Sequence, residues 1–210
     1  MIAPTQLILI RHGETAWTRE RRYQGSSDIP LTAKGLEQSR KLGQALKKIG
    51  AHKIYASPLL RAQQTARAIG KTTGCGIQTD SRIKEMFFGD WEGRTAEELL
   101  RVRDPAFRRW SRAGLATPTG GESLNQLALR VHSFLKEILR RQKRKNIIVV
   151  SHGGPIKMMI FYLLKLPGRS LWSIRLDPAS VTNLLVYPDF CQLAGLNLTL
   201  PAVNALLPDR

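Results

Sequence analysis

Cysteine is scarce in this chain. Cys75 and Cys191 are the two it has, far apart and in no CxxC pair. That spacing speaks against a cysteine-built zinc site or a dithiol redox motif and leaves two free thiols, the ordinary state in a reducing cytosol. Long apolar runs are lacking as well. The longest, Met158 to Leu164, is far too short to span a bilayer, and Met1-Ile2-Ala3-Pro4-Thr5 has none of the basic residues that open a secretory signal. The expected location is cytoplasmic, with no membrane association. Acidic residues are the third deficit: Asp and Glu number 16 against 33 Lys and Arg, a formal net charge of +17. Such a field favours anionic partners (phosphorylated metabolites, nucleic acid, acidic surfaces) without choosing among them. Repeats and low-complexity linkers are also missing, so the 210 residues read as one domain, 1–210.

What is present is an alternation of short apolar runs and helical patterns. Gln6 to Ile10 reads as a buried strand, with no helical period. Thr32 caps a helix running to about Ile49, with Leu42, Leu46 and Ile49 on its apolar stripe and Gly50 at its end. Ile54-Tyr55-Ala56 is a second strand. Ser57-Pro58 then predicts a helix with serine as its cap and proline at its first position, burying Leu59, Ala62, Ala66 and Ile69. A third strand is expected near Ile77, and a polar helical stretch over 95–113. A longer helix follows Gly120 to Ser123, with Leu124, Leu127, Val131, Phe134, Leu135 and Ile138 on one face. Ile147 to Val150 is the clearest buried strand, Gly153-Gly154-Pro155 starts another helix, and Ser180 to Tyr187 reads as a last strand before a Pro- and Leu-rich tail. The predicted fold class is α/β: a mainly parallel sheet flanked by helices on both faces.

Two of these strands end alike, in Arg11-His12-Gly13 and in Ser151-His152-Gly153-Gly154. Ligands of open α/β sheets bind beyond the carboxyl ends of the strands. One histidine there is as readily a packed loop residue; two, each followed by glycine, point to a site. Gly153 also opens a helix, whose N–H groups attract anions. Arg11 sits beside His12, and Arg61 lies in the first turn of the helix after Ile54-Tyr55-Ala56; a guanidinium fork matches phosphate oxygens. Glu85 precedes Met86-Phe87-Phe88, and aromatic surroundings would suit it to proton donation, although a solvated loop carboxylate fits the same residues.

Arg11-His12-Gly13-Glu14-Thr15 resembles the signature of the histidine phosphatase superfamily, also called phosphoglycerate mutase-like. The resemblance continues through Tyr23-Gln24-Gly25, Asp28 with Pro30-Leu31-Thr32 and Gly35, and Ser57 to Ala66. It goes on through Glu85 with Phe88 to Gly93, Gly121-Glu122-Ser123 and Ser151 to Gly154, in family order over roughly residues 6–187. A lone Arg-His-Gly is a weak signal; the ordered series is a strong one. The resemblance implies that His12 is a nucleophile that becomes phosphohistidine and that Arg11, Arg61 and His152 hold the phosphoryl oxygens. It implies that Glu85 protonates the leaving oxygen and then activates water, and that Gln24, Gly25 and Gly153 line the substrate site. No cofactor and no metal are expected, since clustered cations replace the magnesium of other phosphoryl-transfer sites. One departure stands out: many members have asparagine where this chain has Thr18.

Several patterns compete. Gly70-Lys71-Thr72 resembles the end of a P-loop, but the glycine needed five residues earlier is Thr65. Arg140 to Lys145 could bind nucleic acid, yet cations also complement a helix C-terminus, and nucleic acid is not the expected partner. His52 and His132 have no metal-ligand spacing; Trp91, Trp110 and Trp172 suit packing as well as stacking. Glycolytic mutases are usually longer and carry an Asn-Glu-Arg-His-Tyr-Gly type segment around the acid. The segment Glu85-Met86-Phe87-Phe88-Gly89-Asp90-Trp91 is more like that of α-ribazole phosphatases and broad-specificity phosphatases. The expected partner is a small phosphorylated metabolite, α-ribazole 5′-phosphate first. The alternatives are a broad-specificity sugar or phosphoglycerate phosphatase, then a mutase, and outside enzymes a basic phospholigand-binding protein. Nothing in the sequence bears on oligomeric state.

Overall fold

The computed structural model describes residues 3–113, 116–167 and 173–204. The first apolar run forms β1 (Thr5–Arg11), and the run after Lys145 forms β4 (Asn146–Ser151). They pair in parallel, Gln6 opposite Asn146 and Arg11 opposite Ser151. Next to β4 lies β2 (Lys53–Ala56), and next to β2 lies β3 (Ile77–Thr79), both parallel. On the far side of β1, β5 (Val181–Val186) and β6 (Cys191–Leu198) run antiparallel. The order is β3-β2-β4-β1-β5-β6, a mixed sheet that is mainly parallel.

Alternate side chains of a strand point to opposite faces, and here both faces are covered. Leu7, Leu9, Ile147 and Val149 pack with Val131, Phe134 and Leu135 of α6 (Leu124–Arg141) and with Ile156 and Met159 of α7 (Gly153–Leu164). Ile8, Ile10, Ile148 and Val150 pack with Leu42 and Leu46 of α2 (Ala33–Leu46) and with Ala62, Ala66 and Ile69 of α3 (Leu60–Thr73). A strand buried on both faces needs apolar residues at every position, which is why these runs show no alternation. Each such Leu or Ile contributes about 1.5–3 kcal/mol on leaving water.

Three local expectations are corrected. Ser57 does not cap α3. Its backbone still follows the strand, with its N–H on the Val150 carbonyl, and Leu59 is the N-cap. The first helical N–H, that of Leu60, is taken by Asp28 Oδ1 at 2.6 Å, so a distant loop supplies the cap that Ser57 does not. Residues 95–113 form two helices, α4 (Ala96–Arg101) and α5 (Pro105–Ala113), and they are not merely polar. Leu99, Phe107 and Trp110 are buried with Trp91 in the α6/α7-side core. Last, β6 was not foreseen. It is a half-exposed edge strand with register shifts against β5, and Cys191-Gln192-Leu193-Ala194-Gly195 lacks the alternation that marks a strand. Trp172 lies outside the described residues.

Candidate active site

Because Arg11 and Ser151 are register partners, the residues that follow them leave the sheet side by side. His12 N–H donates to the Ser151 carbonyl at 3.0 Å. The His12 and His152 rings lie 5.1 Å apart, centroid to centroid, and both are buried. His12 Nδ1 is 2.8 Å from the Gly13 carbonyl oxygen. A carbonyl only accepts, so Nδ1 carries the proton and Nε2 presents its lone pair. Arg61 Nε–H donates to that Nε2 at 3.3 Å. Burial, then Arg61 and Arg11, hold the His12 pKa well below its ordinary 6.5. A buried, neutral imidazole with an oriented lone pair has the form that nucleophilic attack requires.

Arg61 is buried and fixed from two sides: Nη1–H donates to the Ser27 carbonyl and Nη2–H to the Gly25 carbonyl, each at 2.7 Å. Gly25 itself is required to be glycine. Its φ is +52°, and a Cβ there would run into the Glu92 carboxylate. That carboxylate is spoken for, accepting from the N–H groups of Ser26 and Ser27 at 2.8 and 3.0 Å. Desolvation lowers the Arg61 pKa to about 10, which leaves it charged at neutral pH. Arg11 donates from Nη1 to the Leu176 carbonyl at 2.6 Å, and its buried Nε has no partner among the described residues. Burial lowers its pKa, with Glu85 and Asp177 acting in the opposite sense.

Glu85 arrives on the loop between β3 and α4. Arg130 shapes that loop, donating to the carbonyls of Arg82, Lys84 and Glu85 at 2.7, 2.7 and 3.0 Å while paired with Glu122. Glu85 Oε1 accepts from Met86 N–H at 2.9 Å and from Gly154 N–H at 3.1 Å. The N-terminal turn of α7 is therefore partly occupied by Glu85. The contact also explains the second glycine, since a Cβ on Gly154 would sit 2.5 Å from Glu85 Oε1.

A cavity of about 350 Å³ joins these groups. Arg11, His12, Gln24, Arg61 and Glu85 line it. Gly25, His152 and Gly153 do not line it; Gly25 acts on Arg61, and His152 lies buried beside His12. Gln24 accepts from Thr15 Oγ1 at 2.9 Å. Thr18 reaches the cavity wall, but its hydroxyl donates to the Thr15 carbonyl at 2.9 Å and accepts from Thr15 N–H at 2.8 Å, so it is committed to capping α1 (Ala16–Arg19). A second cavity of about 310 Å³ shares Arg11, Tyr23 and Phe88 with the first, and Trp110, Leu124 and Leu127 make it largely apolar. A third, of about 560 Å³, lies on another side of Glu85 between Ser26, Ser81, Lys84 and Gln126.

Sequence reasoning passed over several of these neighbours. Ser57 Oγ lies 2.8 Å from His152 Nε2, and Thr65 Oγ1 accepts from Gly13 N–H at 3.1 Å. Ser57 directly follows β2, the strand beside β4, and that position at the same sheet edge was the signal available for it. Thr65 sits one turn after Arg61 and offered no such mark. Arg21, Arg22 and Lys157 also reach the cavity walls. Of the competing patterns, Gly70-Lys71-Thr72 lies inside α3, His52 is exposed beside Lys145, and His132 packs against Tyr162.

The family described as the histidine phosphatase superfamily (branch 1) matches residues 7–199. Over 193 residues the chain is 34% identical to the adenosylcobalamin/alpha-ribazole phosphatase of Escherichia coli (strain K12), covering 91% of this chain and 95% of that one. It is 36% identical over 181 residues to the probable phosphoglycerate mutase GpmB of Salmonella paratyphi C (strain RKS4594), covering 85% and 84%. Among solved structures, a mycobacterial glucosyl-3-phosphoglycerate phosphatase in complex with VO3 superimposes with a TM-score of 0.86 at 28% identity, covering 93% of this chain and 100% of that one.

Proposed function

The chain belongs to the histidine phosphatase superfamily, and from that premise we infer that it hydrolyses phosphomonoesters through a phosphohistidine at His12. The observation that carries this reading is the setting of His12: buried, with Nδ1 against the Gly13 carbonyl and Nε2 beside Arg61, a setting that favours the neutral ring with its proton on Nδ1. Nε2 attacks phosphorus, and the bond from phosphorus to the ester oxygen breaks. Glu85, in its carboxylic form, gives its proton to the departing alkoxide. Arg11, Arg61 and His152 meet the phosphoryl oxygens, where charge spreads in the transition state. Water then attacks phosphorus and gives a proton to Glu85, while the bond from phosphorus to Nε2 of His12 breaks. Phosphate leaves, and both His12 and Glu85 are restored. The whole chain, 1–210, acts as one domain, and its partner is a small phosphorylated metabolite of the cytoplasm.

For the alcohol half, α-ribazole 5′-phosphate is the first choice. The name of the 34%-identical relative supports it. So does the apolar cavity against the reactive one, whose lining includes Tyr23, Phe88 and Trp110, residues suited to packing against a heterocycle. A sugar or phosphoglycerate phosphatase is the second reading, favoured by the third cavity, whose mixed wall offers the polar side chains of Ser26, Lys84 and Gln126 to hydroxyl groups. The deciding experiment compares kcat/KM for α-ribazole 5′-phosphate, 3-phosphoglycerate and glucose phosphates, with 2-phosphoglycerate followed as a product. The highest kcat/KM on α-ribazole 5′-phosphate, with free phosphate released, is expected. Preference for a sugar phosphate moves the assignment to the second reading, and interconversion of phosphoglycerates without phosphate release overturns the hydrolase.

A further inference from the structure

His12 and His152 sit side by side, and in each the neighbour at one ring nitrogen bears on where the ring's proton lies. For His12 the neighbour is a carbonyl, which settles the proton on Nδ1. For His152 it is a hydroxyl, Ser57 Oγ at 2.8 Å from Nε2, and a hydroxyl can give or take. The rest of the contacts decide. Ser57 is fully buried, and its Oγ already accepts from Leu59 N–H at 3.3 Å. His152 Nδ1 is buried and has no partner among the described residues. Suppose His152 carried its proton on Nε2. Ser57 would then accept twice, its own proton would meet no acceptor among the described residues, and Nδ1 would be a second orphan, a bare lone pair. With the proton on Nδ1, Ser57 donates to Nε2, accepts from Leu59 and is satisfied. One orphan remains, the Nδ1–H donor. Unpaired buried polar groups cost free energy, so the second arrangement is favoured. It also suits the chemistry, because an N–H attracts a phosphoryl oxygen and a lone pair repels it. Burial, then Arg61, His12, Arg11 and Arg130, hold the His152 pKa well below 6.5, so the ring carries a single proton.

We propose that Ser57 is a positioning residue that fixes His152 as its Nδ1–H tautomer, so that the ring presents a neutral hydrogen-bond donor to the phosphoryl group beside His12. The proposal rests on the phosphatase reading for what Nδ1–H meets, but not for where the proton is. Opposite partners thus give two adjacent imidazoles opposite faces: a carbonyl leaves His12 a lone pair for attack, and a hydroxyl leaves His152 a proton for oxygen.

The test is ¹⁵N NMR of the whole wild-type chain labelled at histidine, with the His152 signals assigned through a His152→Gln variant. Protonated Nδ1 and bare Nε2 are expected, with and without orthovanadate. In Ser57→Ala the preference should weaken toward a mixture of tautomers. Orthovanadate affinity and kcat/KM for p-nitrophenyl phosphate should fall about 10–100-fold, the scale found when the outer partner orienting a histidine is removed. A wild-type His152 protonated on Nε2 overturns the proposal whether or not the variant folds, and so does a Ser57→Ala chain that keeps both the Nδ1–H signal and full orthovanadate affinity. Should wild-type His152 be Nδ1-protonated in a chain without phosphatase activity, the tautomer stands and only the phosphatase reading falls.

Discussion

Acidification from about pH 7 to about pH 5.5 should cost this protein about 2.5 kcal/mol of folding stability before any carboxylate is involved. His12 and His152 are buried and held neutral, their pKa values well below the ordinary 6.5. In the unfolded chain both regain ordinary values. Below 6.5 the unfolded state therefore binds protons that the folded state refuses, and stability falls as pH falls. For one group neutral throughout when folded, the loss over that interval is about 1.25 kcal/mol; two such groups double it. Carboxylates lie outside the window. Glu37, with its pKa lowered to about 2, and Asp80, also lowered, stabilise above their unfolded values near 4 and lose that contribution only at lower pH. Half-buried His132, lowered by burial and Lys136, acts in the same sense as the site pair and must be separated from it. Urea titrations across the window provide the measurement, for the wild type and for a His12→Gln/His152→Gln chain that keeps His132. The wild type should lose the full amount and the double variant only the share due to His132. An unchanged wild-type midpoint, or a double variant with the same loss, would falsify the claim that the site histidines are buried without charge.

Replacement of His12 by alanine should abolish turnover with the fold intact, and rapid-quench mass spectrometry of the wild type should find acid-labile phosphate on His12; label on serine or aspartate instead would end the phosphohistidine mechanism. Glu85→Gln should slow phosphorylation of His12 about 10²–10⁴-fold with an alkyl phosphate. The defect should shrink with p-nitrophenyl phosphate, whose leaving group barely needs a proton, and equal losses on both substrates would deny Glu85 the role of acid. Glu14 is no ready substitute, since its carboxylate is engaged by Lys34 at 3.1 Å and Thr32 at 3.0 Å. Exhaustive chelation should leave activity unchanged, because Arg11 and Arg61 supply the cations; restoration by Mg²⁺ or Zn²⁺ after loss would contradict this.

The sequence by itself determined the central strands of the sheet and which residues leave its carboxyl edge. Leu7 to Ile10 and Ile147 to Val150 are apolar at every position because both faces of a central strand are covered, and that pattern needs no coordinates to be read. His12 and His152 follow from the same runs, each being the second residue past the end of its apolar run. Arg61 and Glu85 came from the ordered family motifs. The tertiary structure alone decided the partners. Whether Ser57 caps a helix or bonds His152 depends on β2 lying beside β4, a neighbour 95 residues away in sequence. Asp28 on Leu60 and Arg130 under the Glu85 loop are contacts of the same kind. The edge strand β6 escaped notice because Cys191-Gln192-Leu193-Ala194-Gly195 does not keep the alternation of a strand with one dry face, and its register against β5 shifts. The polar reading of residues 95–113 failed because Leu99, Phe107 and Trp110 are few but all turn inward. Periodicity records which face of an element is dry. It does not record which donor meets which acceptor, and in a buried site that pairing fixes where each proton resides.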